Sequence, residues 1–220
     1  MSALLTLGAA PVVSTASVHA AEVVLAAVSG GWHGVLGNVD RSMLKGLIIP
    51  GACGAAAGAF AATRLPTHYL GMAVSVYLLL VGTAVIRRGL RRGDREVHPR
   101  RLPTPALGAV GGFCDAVGGG GWGAVVSSTL IKNGSLPRFA IGTVSAAEFF
   151  VSAAASVTFL LSADLRLCRS IILALLAGGV VAAPLAAYLA KVLPVRPLTI
   201  LVGLTVTALS LRRIALLLAG

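Results

Sequence analysis

Seven runs of mostly apolar residues, each about as long as a membrane-crossing helix, dominate this chain of 220 residues. A helix needs about 20 apolar residues to cross the hydrocarbon core of a bilayer. Short polar segments separate the runs, which lie near 12–34, 43–63, 69–86, 105–131, 138–162, 168–189 and 195–212. We therefore predict an all-α, polytopic membrane protein with seven complete spans, preceded by an apolar segment too short to cross.

The composition supports a membrane protein over a soluble one. Only 11% of the residues are charged, and the mean hydropathy is +0.93, whereas soluble domains carry about 25% charged residues. The 27 glycines, against 5% aromatic residues, favour transmembrane helices that pack closely through small residues. Strands of a membrane β-barrel would alternate apolar with polar residues, which these runs do not do.

The net charge of +11 is concentrated in one short segment. Its seven arginines are Arg87, Arg88, Arg91, Arg92, Arg95, Arg100 and Arg101. Nucleic acid is not the expected partner, because aromatic stacking platforms and a soluble basic face are missing. The positive-inside rule predicts instead that loop 87–104 is cytoplasmic.

The remaining turns then follow by counting, provided that 105–131 crosses completely. This places 37–42, 163–169 and Arg212-Arg213 inside the cell, and 63–68, 132–138 and 190–196 outside.

An internal repeat organises the chain. A shift of 126 aligns Val18-His19-Ala20-Ala21-Glu22 with Val144-Ser145-Ala146-Ala147-Glu148, and a shift of 128 aligns Leu65-Pro66 with Leu193-Pro194. Transporter folds are often built from such repeats. We predict two homologous repeats of about four helices each: repeat one at 1–88, a basic cytoplasmic loop at 89–104, and repeat two at 105–220.

The repeat also bears on the N-terminus. The glycine-rich segment 108–123 opens repeat two, and its partner in repeat one would lie before Met1. We therefore expect the first helix of repeat one to be truncated. A signal peptide is the competing interpretation, but residues 1–20 lack a basic n-region, and cleavage would cut a repeated segment.

The glycine run 118–121 predicts a broken helix. Each glycine destabilises a helix by roughly 1 kcal/mol relative to alanine, and irregular backbone at membrane depth is tolerated where it is buried or lines a cavity. Such a break exposes backbone N–H groups that suit an anion. The candidate substrate-binding residues are Gly118, Gly119, Gly120 and Gly121, followed by Ser127 and Ser128. The alternatives are close helix packing, as in Gly108-x-x-x-Gly112, and serines that bond their own helix.

Three acidic residues fall within spans: Glu22, Asp115 and Glu148. A charge at membrane depth costs at least ~2.5–3.5 kcal/mol, so such residues usually face a cavity or a partner. They are candidates for proton coupling or for lining the site, and the alternative is that the glutamates hold a broken helix by hydrogen bonds. His19 lies one turn before Glu22, which suits a pair better than a proton relay.

The three cysteines, Cys53, Cys114 and Cys168, lie far apart and show no metal-binding spacing. We expect no disulfide, no metal and no cofactor.

The stretch Gly-Gly-Phe-Cys-Asp-Ala-Val-Gly-Gly-Gly-Gly-Trp-Gly at 111–123 resembles the glycine-rich signature of the TauE/SafE family. The paired segments 18–22 and 144–148 and the turn Leu36-Gly37-Asn38-Val39-Asp40 are similar too. The resemblance implies a bacterial inner-membrane transporter with about eight spans in two repeats, which moves sulfite, sulfoacetate and related organic anions. It also implies a site at 118–121 with Asp115 and Glu148. The missing glycine segment of repeat one departs from the pattern.

The function expected from these features is secondary transport that exports a small anion, coupled to protons, and not enzyme catalysis. The expected partners are the lipid bilayer and the anion, while a homo-oligomer is left open. Two alternatives remain: a partner subunit without transport activity of its own, and an intramembrane hydrolase with Asp115 as its catalytic residue.

Overall fold

The computed structural model describes residues 11–64, 67–90, 103–118, 121–162 and 169–219. These residues are helical and contain no β-strand, so the predicted all-α fold is confirmed. In chain order the elements are α1 Pro11–Val35, α2 Arg41–Ala62, α3 Thr67–Leu90, α4 Thr104–Gly118, a π-helical segment Gly123–Ser127, α5 Ser128–Lys132, α6 Pro137–Ser162, α7 Arg169–Val192 and α8 Val195–Ala219.

The turn between α1 and α2 shows how polar residues end one span and begin the next. Gly37 has a φ of 70°, a left-handed conformation that favours glycine because it has no Cβ. Asp40 then caps α2, since its Oδ1 accepts hydrogen bonds from the N–H groups of Ser42 and Met43 at 2.8 and 3.0 Å. The chain therefore reverses within five residues.

Six helices of the described chain are long and apolar enough to cross a membrane, namely α1, α2, α3, α6, α7 and α8. The predicted seventh span, 105–131, is divided in two by the structure. Helix α4 has only 15 residues, which at 1.5 Å per residue reach about 21 Å and stop short of a hydrocarbon core of about 30 Å. The prediction of seven complete spans is therefore wrong by one.

Helix α4 enters the bundle alongside α2. Gly46, near the start of α2, faces Thr104 at the start of α4, and Gly58, near the end of α2, faces Phe113. The two helices thus run in the same direction. Because α2 crosses the bundle completely, α4 enters from the end at which α2 begins and stops partway across.

Beyond the break, the chain turns back. The Tyr77 hydroxyl hydrogen-bonds Thr129 Oγ1 at 2.7 Å, and Arg88 Nη1 donates to the backbone oxygen of Lys132 at 3.3 Å. Arg88 lies in the last turn of α3, so Lys132 returns to the end from which α4 entered. Residues 104–118 and 121–132 therefore form the two arms of a re-entrant helical hairpin.

We call the end of the bundle that carries the α1–α2 turn the Asp40 end, and the opposite end the Thr63 end. Asn38 Nδ2 donates to the backbone oxygen of Ala187 at 3.0 Å, and Arg138 Nη2 donates to that of Gly37 at 3.0 Å. The start of α6 and the end of α7 therefore lie at the Asp40 end. The end of α6 and the start of α7 lie at the Thr63 end.

This topology corrects the predicted sidedness of the second half. The Asp40 end is where α3 ends and α4 begins, on either side of the basic segment. It also holds segments 132–138 and 190–196, which were predicted on the other side of the membrane. Arg212-Arg213, predicted on the side of the basic segment, lies toward the Thr63 end. The reason is physical: a re-entrant hairpin removes one crossing, and every later segment is inverted.

Helices α1 and α6 pack against each other in opposite directions. Gly30 of α1 meets the backbone of Ala146. Closer to the start of α1, Glu22 Oε2 accepts a hydrogen bond from Ser152 Oγ at 3.3 Å. These two helices carry the two segments that the sequence aligns.

Helices α3 and α8 form a second antiparallel pair. Gly82 faces Thr207, and Gly89 faces Ile200. The predicted alignment equates α1 with α6, α2 with α7 and α3 with α8, and each equated helix runs opposite to its counterpart. The repeat itself stays a prediction, and with this topology it would be an inverted one.

Glycines bring α2 and α4 into backbone contact. A Cβ on Gly54 would meet the backbone of Ala109, and one on Gly112 would meet that of Gly51. Small residues are what allow membrane helices to approach so closely. Close helix packing was the alternative interpretation of the glycines, and it applies to Gly112. Gly118, in contrast, is the last residue of α4.

Candidate functional site

Asp115 bridges the glycine break. Helix α4 ends at Gly118, and helical structure begins again at Trp122. Across this gap, Asp115 Oδ1 accepts hydrogen bonds from the N–H groups of Gly121 at 2.5 Å and Trp122 at 2.7 Å. A charged acceptor at the start of a helix satisfies N–H groups that have no partner within the helix. Gly121 is not helical, and Asp115 caps the segment that begins after it.

The segment after the break is irregular in a second way, because Gly123–Ser127 is π-helical. Such segments are rare and are frequent at functional sites. Ser127 is buried at the end of this segment. The Ser128 hydroxyl donates to the backbone oxygen of Ala124 within its own helix. Of the two serines predicted to bind substrate, Ser128 therefore bonds its own helix, which was the alternative interpretation.

Trp122 anchors the break in the core. Its side chain is fully buried, and its Nε1 donates to the backbone oxygen of Val144 at 2.9 Å. The ring also faces Gly51, where a Cβ would collide with it, and Gly111, where a Cβ would lie 3.3 Å from it. The start of the second arm of the hairpin is thus fixed to α2 and α6.

The structure brings three ionisable side chains together beside the break. His19 Nδ1 lies 2.8 Å from Glu22 Oε2, so the predicted pair is present. The same nitrogen lies 3.8 Å from Asp115 Oδ2, beyond hydrogen-bond distance. His19 and Asp115 are almost completely buried. Sequence spacing indicated the His19–Glu22 pair but not the approach of α4 to it.

Glu22 and Glu148 line a common cavity. It has a volume of about 300 Å³ and lies between α1, α6 and α7. Its other lining residues are small or apolar except for one hydroxyl: Leu25, Ala26, Ser29, Gly179, Ala182, Ala183 and Ala186. The two glutamates that the sequence alignment equates thus face one space, and Glu22 joins this cavity to the buried His19.

Arg213 is a residue near the break that sequence analysis assigned to a loop. It lies within α8, and a Cβ added to Gly118 would lie 3.6 Å from its Nη1. A guanidinium at this position places a positive charge next to the end of α4. The sequence signal was a pair of arginines inside an apolar run, and from it we predicted that the last span ends there.

Two predicted site residues, Gly119 and Gly120, lie outside the described residues. His19, Glu22 and Asp115 offer ligand atoms that all lie within 4.8 Å of one another. That spacing would suit a small cation as well as a proton, so the expectation that no metal binds stays a prediction. Cys53 and Cys114 are free thiols, and Cys168 lies outside the described residues.

These features define a class of protein. A multi-pass helical bundle with a broken re-entrant hairpin and buried charges at membrane depth is built as transporters are, because such charges mark ion and substrate pathways. The family model described as Sulfite exporter TauE/SafE matches residues 1–213. The chain belongs to this family of membrane transporters, which confirms the resemblance drawn from the glycine-rich segment.

A curated relative supports the same assignment. The chain is 38% identical over 209 residues to a protein of Bacillus subtilis (strain 168) named "Probable membrane transporter protein YtnM". The alignment covers 92% of this chain and 70% of the relative. No solved structure matches the chain.

Proposed function

We propose that this transporter exports a small sulfur-containing anion, such as sulfite or sulfoacetate, in a cycle coupled to protons. The observation that carries the proposal is the hairpin break capped by Asp115, which lies beside Glu22 and His19. The carboxylates supply groups that can bind protons. Because Asp115 Oδ1 accepts from the N–H groups of Gly121 and Trp122, these N–H groups become available to an anion when Asp115 is protonated. Membership of the sulfite exporter family supports the substrate class.

Anion binding rests on the break and on Arg213. Backbone N–H groups at the start of a helix attract anions. Arg213 adds a positive charge beside Gly118, and its planar guanidinium suits the oxygens of sulfite or a sulfonate. Gly118, Gly119, Gly120, Gly121 and the Ser127 hydroxyl complete the proposed substrate site.

Proton coupling rests on Glu22, Asp115 and Glu148. Glu22 and Glu148 face the cavity between α1, α6 and α7, whereas Asp115 holds the break. A proton entering from the cavity therefore reaches a carboxylate that lies within a few ångström of the proposed anion site. This proximity is what a coupled cycle requires.

The corrected topology supports a bacterial inner-membrane orientation with the Asp40 end, and therefore loop 87–104, in the cytoplasm. Thirteen of the 18 lysines and arginines lie at the Asp40 end or between helix ends that meet there. The other five are Arg64, Arg166, Arg169, Arg212 and Arg213. Compared with the predicted topology, Lys132, Arg138, Lys191 and Arg196 move to the cytoplasmic side, while Arg166, Arg169, Arg212 and Arg213 move to the other side, so the ratio of 13 to 5 that the positive-inside rule uses is the same in both.

Transport by this chain is favoured over the two alternatives. The family is one of membrane transporters, which argues against an intramembrane hydrolase and supports the view that the chain is not an enzyme. Flux in vesicles that contain this chain alone tests the alternative of a partner subunit without transport activity, whereas in a homo-oligomer each copy would carry the same site.

The test is flux in proteoliposomes that contain the purified full chain. We expect an imposed pH gradient to drive radiolabelled sulfite or sulfoacetate across the membrane. Asp115→Asn, Glu22→Gln and Glu148→Gln should each lower gradient-driven flux by at least about tenfold, which corresponds to the loss of one charged interaction. Glu96→Gln, in the segment between α3 and α4, is the matched control and should retain flux.

Two results would contradict the proposal. Wild-type vesicles that move neither anion would remove the substrate assignment. Unchanged gradient-driven flux in all three carboxylate variants would remove the coupling role of these residues.

A further inference from the structure

We propose that His19 carries the coupling proton from Glu22 to Asp115 and thereby sets how tightly the hairpin break is held. The inference rests on the proposed proton-coupled function and adds a residue and a route to it. Its basis is the position of one imidazole nitrogen between two carboxylates. Nδ1 lies 2.8 Å from Glu22 Oε2 and 3.8 Å from Asp115 Oδ2.

Three atoms of this group are buried without a hydrogen-bond partner in the described chain, namely His19 Nδ1, His19 Nε2 and Asp115 Oδ2. Both residues are at most 1% exposed. Buried polar atoms are almost always hydrogen-bonded, so an exception needs an explanation. A proton delivered between Nδ1 and Oδ2 supplies one, because a small approach of the two side chains would then complete the bond.

The route starts at Glu22. The Glu22 side chain is 22% exposed, whereas that of Asp115 is 1% exposed. Glu22 also lines the cavity together with Glu148. Glu22 is therefore the member of the group that can exchange protons with water in the cavity. Asp115 does not line this cavity, and its Oδ2 lies 3.8 Å from His19 Nδ1.

The transfer balances with one proton and no other reactant. The Glu22 carboxyl gives its proton to the lone pair of Nδ1, which leaves a carboxylate and an imidazolium. The imidazolium then gives the Nδ1 proton to Asp115 Oδ2, and Nδ1 regains its lone pair. Nε2 keeps its own proton throughout.

The surroundings hold the ring in place for this transfer. The ring of Phe159 on α6 stacks on His19, with 5.9 Å between the centroids and an interplanar angle of 19°. Ser152 of α6 donates to Glu22 Oε2 at 3.3 Å. Nδ1 therefore keeps facing the two carboxylates.

The ionisable groups near the ring come from three helices. They are Glu22 on α1, Asp115 on α4 and Glu148 on α6. The residues that α7 contributes to the cavity are Gly179, Ala182, Ala183 and Ala186, and none of them is ionisable.

The proton reaches the break through the two oxygens of Asp115. While Oδ2 receives the proton, Oδ1 is the acceptor for the N–H groups of Gly121 and Trp122. A carboxylate accepts hydrogen bonds more strongly than a neutral carboxyl group. Protonation of Asp115 therefore weakens both bonds, and the proton on this group changes the backbone where the anion is proposed to bind.

The first test is nitrogen NMR of the purified full chain in lipid nanodiscs, with ¹⁵N-labelled histidine. The His19 signal is assigned by its loss in His19→Gln, and His33, which bonds Asn38, is the internal control. We expect Glu22→Gln to shift the Nδ1 resonance of His19 and to leave His33 unchanged. An identical His19 resonance in the wild type and in Glu22→Gln would overturn the proposal.

The second measurement is the amide signals of Gly121 and Trp122 as the pH changes. In the wild type they should move together with the His19 signal, and in His19→Gln this joint movement should disappear. A merely structural role of the ring would not make the two amide signals move together with the His19 signal. Equal pH dependence of the two amides with and without His19 would therefore overturn the link to the break.

The third measurement is flux in proteoliposomes. His19→Gln should lower sulfite flux driven by a pH gradient by at least about tenfold. His33→Gln is the matched control and should keep this flux. Gradient-driven flux retained in His19→Gln would overturn the proposal. If wild-type vesicles move no sulfite or sulfonate, the proposed function fails, and the two NMR measurements still decide the proton route.

Discussion

The backbone N–H of Trp122 donates a hydrogen bond to Asp115 Oδ1 at 2.7 Å, across a break that separates the two residues by seven positions. A charged carboxylate usually costs free energy at membrane depth. Here the Asp115 carboxylate, which lies in α4, caps the helical segment after the break. The same carboxylate faces His19 through its other oxygen. Asp115 therefore joins the backbone of the hairpin to the ionisable group beside the cavity.

The capping role of Asp115 can be separated from its charge. Asp115→Ala removes both hydrogen bonds, and loss of an N-cap costs about 1–2 kcal/mol. We expect amide hydrogen exchange at Gly121 and Trp122 to become at least about fivefold faster. Asp115→Asn keeps an acceptor oxygen but is neutral and a weaker acceptor than the carboxylate, so its exchange rate should lie between those of the wild type and Asp115→Ala. Equal exchange in both variants would argue against the cap.

Arg213 should affect binding of the anion. Loss of a charged hydrogen bond costs about 1.5–3 kcal/mol, so Arg213→Ala should raise the apparent KM for sulfite by about tenfold or more. Arg212→Ala is the matched control, because this neighbour is exposed on the same helix. Equal KM values for the two variants, measured in proteoliposomes, would remove Arg213 from the substrate site.

Close packing of α2 on α4 gives a prediction about stability. A Cβ on Gly54 would collide with the backbone of Ala109, while one on Gly31 meets nothing within 4 Å. Overpacking of this kind costs about 1–3 kcal/mol. We expect Gly54→Ala to lower the melting temperature in detergent by at least about 3 °C. Gly31→Ala should leave it unchanged or raise it, since alanine favours a helix. The opposite order would contradict the α2–α4 contact.

The re-entrant hairpin predicts which residues share a side of the membrane. Single cysteines at Ser42, Ser135 and Thr63, in a background without Cys53, Cys114 and Cys168, can be labelled with an impermeant maleimide on intact cells and on inverted vesicles. Ser42→Cys and Ser135→Cys should label from one side, and Thr63→Cys from the other. Labelling of Ser135→Cys together with Thr63→Cys would show that 105–131 crosses completely.

Sequence alone predicted the class of fold because its signals are local. An apolar run of about 20 residues must be a helix in a bilayer, since every backbone polar group needs a partner there. The glycine run 118–121 predicted a break for the same local reason, and the three-residue spacing of His19 and Glu22 predicted their contact. The glycine-rich segment around Asp115 was also specific enough to indicate the family.

Other features were decided by the tertiary structure, because they depend on contacts between distant segments. A broken apolar run has the same composition whether it crosses or turns back, so it is tertiary contacts, such as that of Arg88 with Lys132 and that of Arg138 with Gly37, that show the return of the hairpin. These contacts reverse the second half of the chain. The approach of His19 to Asp115, and of Arg213 to Gly118, likewise results from helix packing that no spacing along the chain encodes.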